Sequence, residues 1–253
     1  MITVQDVARA VDGIAPFDTQ LDWDNSGLLV GDPAGEVDRV LVALDATAEV
    51  IREAASLGAQ AIVTHHPVIF RGVQRLLAGD PPYEAAARGI AIISAHTCYD
   101  MAEGGVNHAL ADRRPLWEER PGEAGGRSLG LAGELPCPMT REELAAWVEE
   151  ALHLRPGYVR WLPDAGPESI RRVAVCGGAG SDYLAQAKAL GCAAYITGDV
   201  RHHEFLAARQ LGLLLMDAGH GATEGIAMPR LRRQLEGAMP GVEVVLFSGG
   251  GAF

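Results

Sequence analysis

The chain has 253 residues, of which 48% are hydrophobic and 21% charged, and its mean hydropathy of +0.08 is typical of a globular protein with one large or two small α/β domains. No apolar run approaches the roughly 20 residues of a membrane span, and the first residues lack the basic and apolar regions of a secretory signal, so we expect a cytoplasmic location. The net charge of −12 argues against nucleic-acid binding by the surface as a whole.

The N-terminal part of the chain begins with a predicted helix and continues with strands and a second helix. Thr3 is placed to cap the first helix, whose apolar residues recur at helical spacing as far as Ile14. A polar segment around Trp23 and Asn25 then opens into a strand, and it is typical either of a surface turn or of a rim that faces a ligand. Next, residues 40–64 predict a strand, a helix and a strand, with the two strands parallel.

Two adjacent histidines, His65 and His66, follow the apolar strand predicted at residues 61–64. Pro67 cannot continue a central strand because it lacks the backbone N–H, so the histidines lie where the strand ends. In open α/β sheets ligands bind at the carboxyl ends of strands. The pair therefore indicates either two metal ligands or one structural and one solvated histidine.

A second copy of this pattern lies further along the chain. Residues 172–177 match residues 39–44, and residues 190–197 match residues 57–64, both without a gap. The next predicted strands, at 89–96 and 212–220, are also similar, and each is followed by a histidine with an acidic residue four positions later. This repetition indicates an internal duplication.

The rest of the pattern completes the predicted architecture. The Gly-, Pro- and charge-rich residues 112–138 indicate a domain boundary that carries an edge strand at 128–135. Further elements are predicted as a helix at 140–152, a helix at 222–235 and a strand at 242–247. The predicted fold is α/β, with two similar α/β lobes from the duplication, at 1–125 and 126–253, each with a mixed or parallel sheet and helices packed outside.

Six of the eight histidines come shortly after predicted apolar strands: His65, His66, His96, His202, His203 and His220. Several acidic residues lie within a few positions of them: Asp100, Asp199, Glu204 and Glu224. Imidazole and carboxylate ligands together suit Zn, Mn, Fe, Co or Ni, and the absence of any C-x-x-C spacing argues against a cysteine-based zinc site. Three histidines and two carboxylates exceed the needs of one tetrahedral ion and match a two-metal site.

Two of these groups also have simpler interpretations. His220 and Glu224 have the spacing of neighbours on one helix face, which suits either shared metal binding or a contact at the start of a helix. For His202 and His203 the simpler interpretation is favoured: Asp199 caps the helix that they begin and one of the two histidines is exposed. Lining of the metal site by these histidines is the alternative.

Six ordered motifs resemble those of the toroidal dinuclear-metal-centre proteins, the GTP cyclohydrolase 1 type 2 homologues. They are Trp23-Asp-Asn-Ser-Gly-Leu28, Thr64-His-His-Pro67, His96-Thr-Cys-Tyr-Asp100, Gly104-Gly-Val-Asn107, Thr197-Gly-Asp199 and Gly219-His-Gly-Ala-Thr-Glu224. The resemblance spans essentially the whole chain and implies two α/β lobes in a hexameric ring. It also implies two divalent metal ions per chain, with ligands that map to His65, His66, Asp100, His220 and Glu224.

The function implied by this resemblance is that of a metal-dependent hydrolase acting on a small, nucleotide-like molecule. With GTP as substrate, water would attack C8 of the guanine ring, His96 or His202 would transfer protons, and Asn25 would contact the substrate. Two alternatives remain at this stage: a phosphodiesterase or phosphatase that uses the same metals, and a non-catalytic metal-bearing ring that binds a partner.

Overall fold

The computed structural model describes residues 1–112 and 130–249. Two compact units are formed, the first by Met1–Gly105 together with the described residues from Met228 onward, and the second by Val106–Ala227. None of the helices in the described ranges combines the length and hydropathy that a bilayer crossing requires.

The first unit is built on a five-stranded mixed sheet with the strand order β1-β4-β3-β2-β9. Its strands are β1 (Gly27–Val30), β2 (Arg39–Ala43), β3 (Ala61–Thr64), β4 (Ala91–Ser94) and β9 (Glu243–Leu246). All run parallel except β1, which pairs antiparallel with β4 at one edge. Its helices are α1 (Val4–Ile14), α2 (Ala48–Leu57), α3 (Pro81–Ala87), α4 (Thr97–Met101) and α10 (Met228–Ala238), with a short 3-10 turn at Phe17–Thr19.

The second unit is built on a four-stranded sheet with the order β5-β6-β7-β8. Its strands are β5 (Leu131–Met139), β6 (Ile170–Val175), β7 (Ala194–Thr197) and β8 (Leu214–Asp217), of which only β5 is antiparallel. Its helices are α5 (Val106–Ala111), α6 (Arg141–Ala151), α7 (Leu184–Ala189), α8 (His202–Gln210) and α9 (His220–Gly225), with a 3-10 turn at Ser181–Tyr183.

Both faces of the second sheet are buried. Val173, Val175 and Ile196 belong to one apolar cluster, whereas Ala174 and Tyr195, which alternate with them, belong to another. Because successive strand residues point to opposite faces, this alternation buries the sheet on both sides. Burial on both faces explains why the strand segments of the sequence are almost continuously apolar.

The two sheets reproduce the internal repeat in their strand register. Val40 lies opposite Ala61 in the first unit, and Val173 lies opposite Ala194 in the second, each residue 133 positions after its counterpart. The predicted α/β fold class with two similar lobes is confirmed. Most predicted elements also match, including Thr3 and Thr140 as helix caps, although the helix predicted at 222–235 is two helices, α9 and α10.

The predicted division between residues 125 and 126, with the start of the predicted edge strand, lies outside the described residues and stays a prediction. The C-terminal part of the chain completes the first sheet, because β9 pairs with β2 and α10 packs against β9. The chain passes from one compact unit to the other after Gly105 and after Ala227.

Candidate metal centre

The carboxyl ends of the parallel strands in the first unit carry a group of polar side chains. Thr64, the last residue of β3, lies opposite Ala43 on β2 and Ser94 on β4. The residues that follow each strand therefore emerge at one edge of the sheet, where α/β proteins bind ligands. His65 is fully buried there and His66 is partly buried.

Each of these two histidines is held through its Nδ1 atom. The Nδ1 atom of His65 lies 2.9 Å from the carbonyl oxygen of Ala95, and that of His66 lies 2.7 Å from Oδ1 of Asp45. The hydroxyl of Thr64 donates to the carbonyl of His66, which secures the turn after β3. These contacts orient both rings independently of any ligand.

His96 is held in the same way by a carboxylate from a distant loop. Its Nδ1 atom lies 2.8 Å from Oδ1 of Asp24, whose side chain is fully buried. The second carboxylate oxygen of Asp24 accepts hydrogen bonds from the backbone N–H and the hydroxyl of Thr97 at the start of α4. Burial acts to raise the pKa of Asp24, but the hydrogen bonds from His96 and Thr97 outweigh it and hold that pKa well below its usual range.

The three imidazoles of the first unit converge. One nitrogen from each of His65, His66 and His96 lies within 4.8 Å of the other two. Asp100, in the first turn of α4, is also buried, and its Oδ1 atom lies 3.5 Å from Nε2 of His65. The first unit thus collects three imidazoles and one carboxylate at a single edge of its sheet.

The second unit carries a smaller cluster on α9. His220 and Glu224 lie one helical turn apart, and Nε2 of His220 is 3.1 Å from Oε2 of the buried Glu224. The Nδ1 atom of His220 lies 2.8 Å from Oδ2 of Asp199. Asp199 follows β7 as a non-glycine residue in the left-handed region, with φ of +54°, a conformation that Asp tolerates better than most residues.

The partners of the Nδ1 atoms determine the tautomers of the four rings. A carbonyl or carboxylate oxygen only accepts hydrogen bonds, so Nδ1 must carry the proton in each ring. A neutral ring then has its lone pair on Nε2, the atom available to a metal ion, and this hydrogen-bonding pattern is the usual one around metal-bound histidines.

In each unit a histidine then directs an acceptor atom toward a carboxylate. Nε2 of His65 faces Asp100, and Nε2 of His220 faces Glu224. Two acceptors at such distances repel each other unless a cation, either a proton on the ring or a metal ion, lies with them. The imidazole nitrogens and carboxylate oxygens are therefore a donor set that could hold a metal ion.

Two glycines give the α9 cluster its space. Gly178, at φ of +65°, lies so close to Glu224 that a Cβ atom would be 2.2 Å from the Oε1 atom of that carboxylate. Gly177 lies against Val106, where a Cβ atom would come within 2.6 Å of a side-chain methyl. Position 178 must therefore lack a side chain for Glu224 to occupy its present position, whereas Gly177 makes room for Val106.

The other predicted site residues lie in different environments. Asn25 donates its side-chain amide to the carbonyl of Ile69 at 2.5 Å. His202 and His203 are exposed in the first turn of α8, and no grouping of possible metal ligands found in residues 1–112 and 130–249 includes either. The roles predicted for Asn25 and His202 in substrate binding and proton transfer stay predictions.

One prediction about this region was wrong. Asp199 does not cap α8, because the N-cap position belongs to Arg201, whose backbone N–H and guanidinium both donate to Glu204. Asp199 instead orients His220. Asp24, Asp45 and Gly178 were not predicted as site residues, although Asp45 shares the signal that identified His65, since it too follows a buried parallel strand.

Comparison with known proteins agrees with the resemblance in the motifs. A family model described as Duf34/NIF3 (NGG1p interacting factor 3) matches residues 2–249. The GTP cyclohydrolase 1 type 2 homolog of Streptomyces coelicolor is 39% identical over 236 residues, which cover 88% of this chain and 82% of that protein. The protein of the same name from Clostridium perfringens is 33% identical over 232 residues, which cover 87% of this chain and 86% of that protein.

A solved structure shares the fold along nearly the entire chain. Staphylococcus aureus protein SA1388 superposes with a TM-score of 0.87 at 28% sequence identity, covering 99% of this chain and 98% of that one.

Proposed function

This chain belongs to the Duf34/NIF3 family, and from that membership we propose that it is a metal-dependent hydrolase with two divalent ions per chain. The proposed ligands are three histidines and two carboxylates: His65, His66, Asp100, His220 and Glu224. Zn, Fe, Mn, Co and Ni all suit such a set. Five protein ligands exceed the four of one tetrahedral ion, which supports two ions with open positions for water.

The observation that carries this proposal is the way in which the histidines are held. Every one of the three proposed histidine ligands has its Nδ1 atom against an oxygen acceptor at 2.7–2.9 Å. A structural histidine also satisfies its Nδ1 atom in this way. Here, however, the Nε2 atoms of His65 and His220 also face the buried carboxylates of Asp100 and Glu224, at 3.5 and 3.1 Å, and a metal ion between each pair would remove the repulsion between two acceptors. Divalent ions bound here would supply an activated water near neutral pH and would stabilise negative charge that develops on the substrate.

His96 is proposed as the group that moves a proton. Because its Nδ1 atom donates to Asp24, the basic atom of a neutral His96 is Nε2, and its ring lies with those of His65 and His66. Asp24 holds the ring in one tautomer and stabilises the imidazolium that forms when Nε2 accepts a proton. We therefore assign His96 as a base rather than as a metal ligand, although its ring belongs to the same group of possible ligands as His65 and His66.

The proposed substrate is a nucleotide with a purine ring, as the names of the curated relatives suggest. Hydrolytic opening of the guanine ring of GTP at C8 leaves a formamide, and hydrolysis of that formamide by a second water releases formate. Formate release from GTP by metal-loaded protein therefore tests the proposal, with inorganic phosphate measured alongside. Phosphate without formate would identify a phosphatase, and hydrolysis of phosphodiester substrates without formate would identify a phosphodiesterase. Turnover of neither GTP nor a panel of phosphoesters would favour a non-catalytic, partner-binding role.

Variants of two histidines separate the roles proposed for them. We expect His96→Ala to lower formate release by at least about 100-fold while metal content stays at the wild-type value, since general acid–base catalysis contributes 10²- to 10⁴-fold. His202→Ala is the matched control for removal of an imidazole. Unchanged turnover in His96→Ala combined with a large loss in His202→Ala would assign proton transfer to His202 instead.

Removing Asp199 is expected to weaken metal binding although Asp199 is not itself a ligand. Asp199→Ala takes away the acceptor that orients His220, and loss of such a partner typically costs 10- to 100-fold in affinity. Asp199→Asn retains an acceptor oxygen and the tolerance for positive φ, so it should recover most of the affinity. Titration with Zn²⁺ against a competing chelator measures both, and wild-type affinity in Asp199→Ala would contradict the proposed role of His220.

The hexameric ring implied by the resemblance is part of the same proposal. Light scattering of the purified protein should give a native mass of six 26.7-kDa chains. The mass of a monomer would rule out the hexameric ring but would leave the proposed metal ligands unaffected.

A further inference from the structure

Two exposed aromatic rings stand next to His96. The indole of Trp23 is 57% exposed and the ring of Phe70 is 42% exposed, and their centroids are 5.8 Å apart. Each centroid is also 6.0 Å from that of His96, with the ring planes steeply inclined to the imidazole. The three rings form an aromatic corner, defined here as Trp23, Phe70 and His96.

The backbone that carries the corner is held in place. Asp24 and Asn25, the two residues after Trp23, are both anchored: Asp24 to His96 and Thr97, and Asn25 to the carbonyl of Ile69. Ile69 directly precedes Phe70, so the amide of Asn25 ties the loop of Trp23 to the segment of Phe70. The spacing of the two rings is thus set by hydrogen bonds rather than by burial of the rings themselves.

Packing alone does not explain the corner. A large aromatic side chain stabilises a fold mainly through the area that it buries, and both rings leave much of that area in water. Rigidly held aromatic rings with open faces are instead typical of sites that stack planar rings, and stacking needs no particular pattern of hydrogen bonds on the ligand.

We propose that Trp23 and Phe70 bind the planar heteroaromatic ring of the substrate by stacking and bring it beside His96. The inference rests on the proposed function for its substrate class, a purine nucleoside or nucleotide. It adds the residues that recognise the ring. The net charge of −12 favours a single nucleoside or nucleotide over a nucleic-acid strand, whose binding depends on many phosphate contacts.

Calorimetric titration with guanosine tests the aromatic corner, both on protein loaded with Zn²⁺ and on protein stripped by chelator. We expect Trp23→Ala to bind guanosine at least about tenfold more weakly than wild type in both forms, as base–aromatic stacking predicts. Trp23→Phe keeps a stacking ring and should recover most of the affinity. Tyr83→Ala is the matched control, since Tyr83 is an exposed aromatic residue, 39% exposed, in the same unit but outside the corner.

The outcomes separate this inference from the proposed function. Weaker guanosine binding by Trp23→Ala in the stripped protein supports stacking even if formate is never released from GTP. Equal affinity in Trp23→Ala and wild type, or no guanosine binding by wild type, would overturn the inference. A lower native mass of Trp23→Ala with unchanged guanosine affinity would also overturn it and assign the rings to a contact with a second copy of the chain.

Discussion

Replacing Asp24 with alanine is expected to lower the free energy of unfolding by about 3 kcal/mol and to suppress turnover together with it. The carboxylate is fully buried and accepts hydrogen bonds from the ring of His96, the backbone N–H of Asn25, and the N–H and hydroxyl of Thr97. Alanine leaves these donors without their acceptor, and each buried donor left unsatisfied costs about 1–3 kcal/mol. Chemical denaturation monitored by circular dichroism measures the loss.

Asp22 provides the matched control for Asp24. It lies in the same loop and carries the same charge, but it is exposed. Asp22→Ala should therefore change the free energy of unfolding by no more than about 0.5 kcal/mol. Equal effects of the two substitutions would show that charge in the loop, rather than the hydrogen bonds of Asp24, matters for stability.

The contribution of Asp24 to the free energy of unfolding should decrease as the pH falls. A carboxyl group with a lower pKa in the folded than in the unfolded state stabilises the fold above its unfolded pKa of about 4 and loses that contribution as the pH falls toward the folded value. The pKa of Asp24 is lowered in this way. The difference in the free energy of unfolding between wild type and Asp24→Asn should be constant near neutral pH and become smaller below about pH 4. A difference that grew larger below pH 4 would contradict a lowered pKa of Asp24.

Gly178→Ala is expected to reduce metal affinity by at least about tenfold while the protein stays folded. The new Cβ atom would lie 2.2 Å from Oε1 of Glu224 and 3.4 Å from a ring carbon of His220. The carboxylate is the flexible end of its side chain, so it should move rather than unfold the unit. Because Glu224 is a proposed metal ligand, its displacement should weaken metal binding. We expect an effect of about 10- to 100-fold, as large as that of losing a residue that orients a ligand.

Gly191→Ala is the control that separates the effect of the contact with Glu224 from the effect of backbone strain. Gly191 has φ of +74°, close to the +65° of Gly178, but a Cβ atom added to it would meet no atom within 4 Å. Both substitutions carry the cost of a left-handed alanine, about 1–2 kcal/mol, whereas only Gly178→Ala displaces a carboxylate. Similar metal affinity in the two variants, measured by competition with a chelator, would argue against a role for Glu224 in binding.

The sequence pattern was sufficient to predict the two repeated lobes and the position of the histidines at the ends of the strands. Strands of near-continuous apolar residues are easily recognised, and a polar residue one or two positions after such a strand emerges at the carboxyl edge of a parallel sheet, as His65 and Asp45 do. The constant offset of the repeat is equally visible, and it even aligns Asp45 with Gly178, two positions that serve the two clusters in different ways.

The partners of the histidines could not be predicted in the same way. Asp24 and His96 are separated by 72 positions, and nothing in hydrophobic periodicity specifies which carboxylate reaches which ring. Periodicity reports which face of an element is buried, but not the direction of a polar atom. For the same reason Asp199 was expected to cap α8, and the pairing of β9 with β2 across most of the chain was not foreseen.

Elemental analysis of the purified protein after reconstitution would show whether the two clusters bind metal ions. We expect about two divalent ions per chain in wild type and fewer in both His65→Ala and Glu224→Ala. His153→Ala, which removes an exposed histidine from outside both clusters, should keep the wild-type content. Wild type without metal, or metal fully retained in His65→Ala and Glu224→Ala, would contradict this expectation and leave the histidines with a structural role.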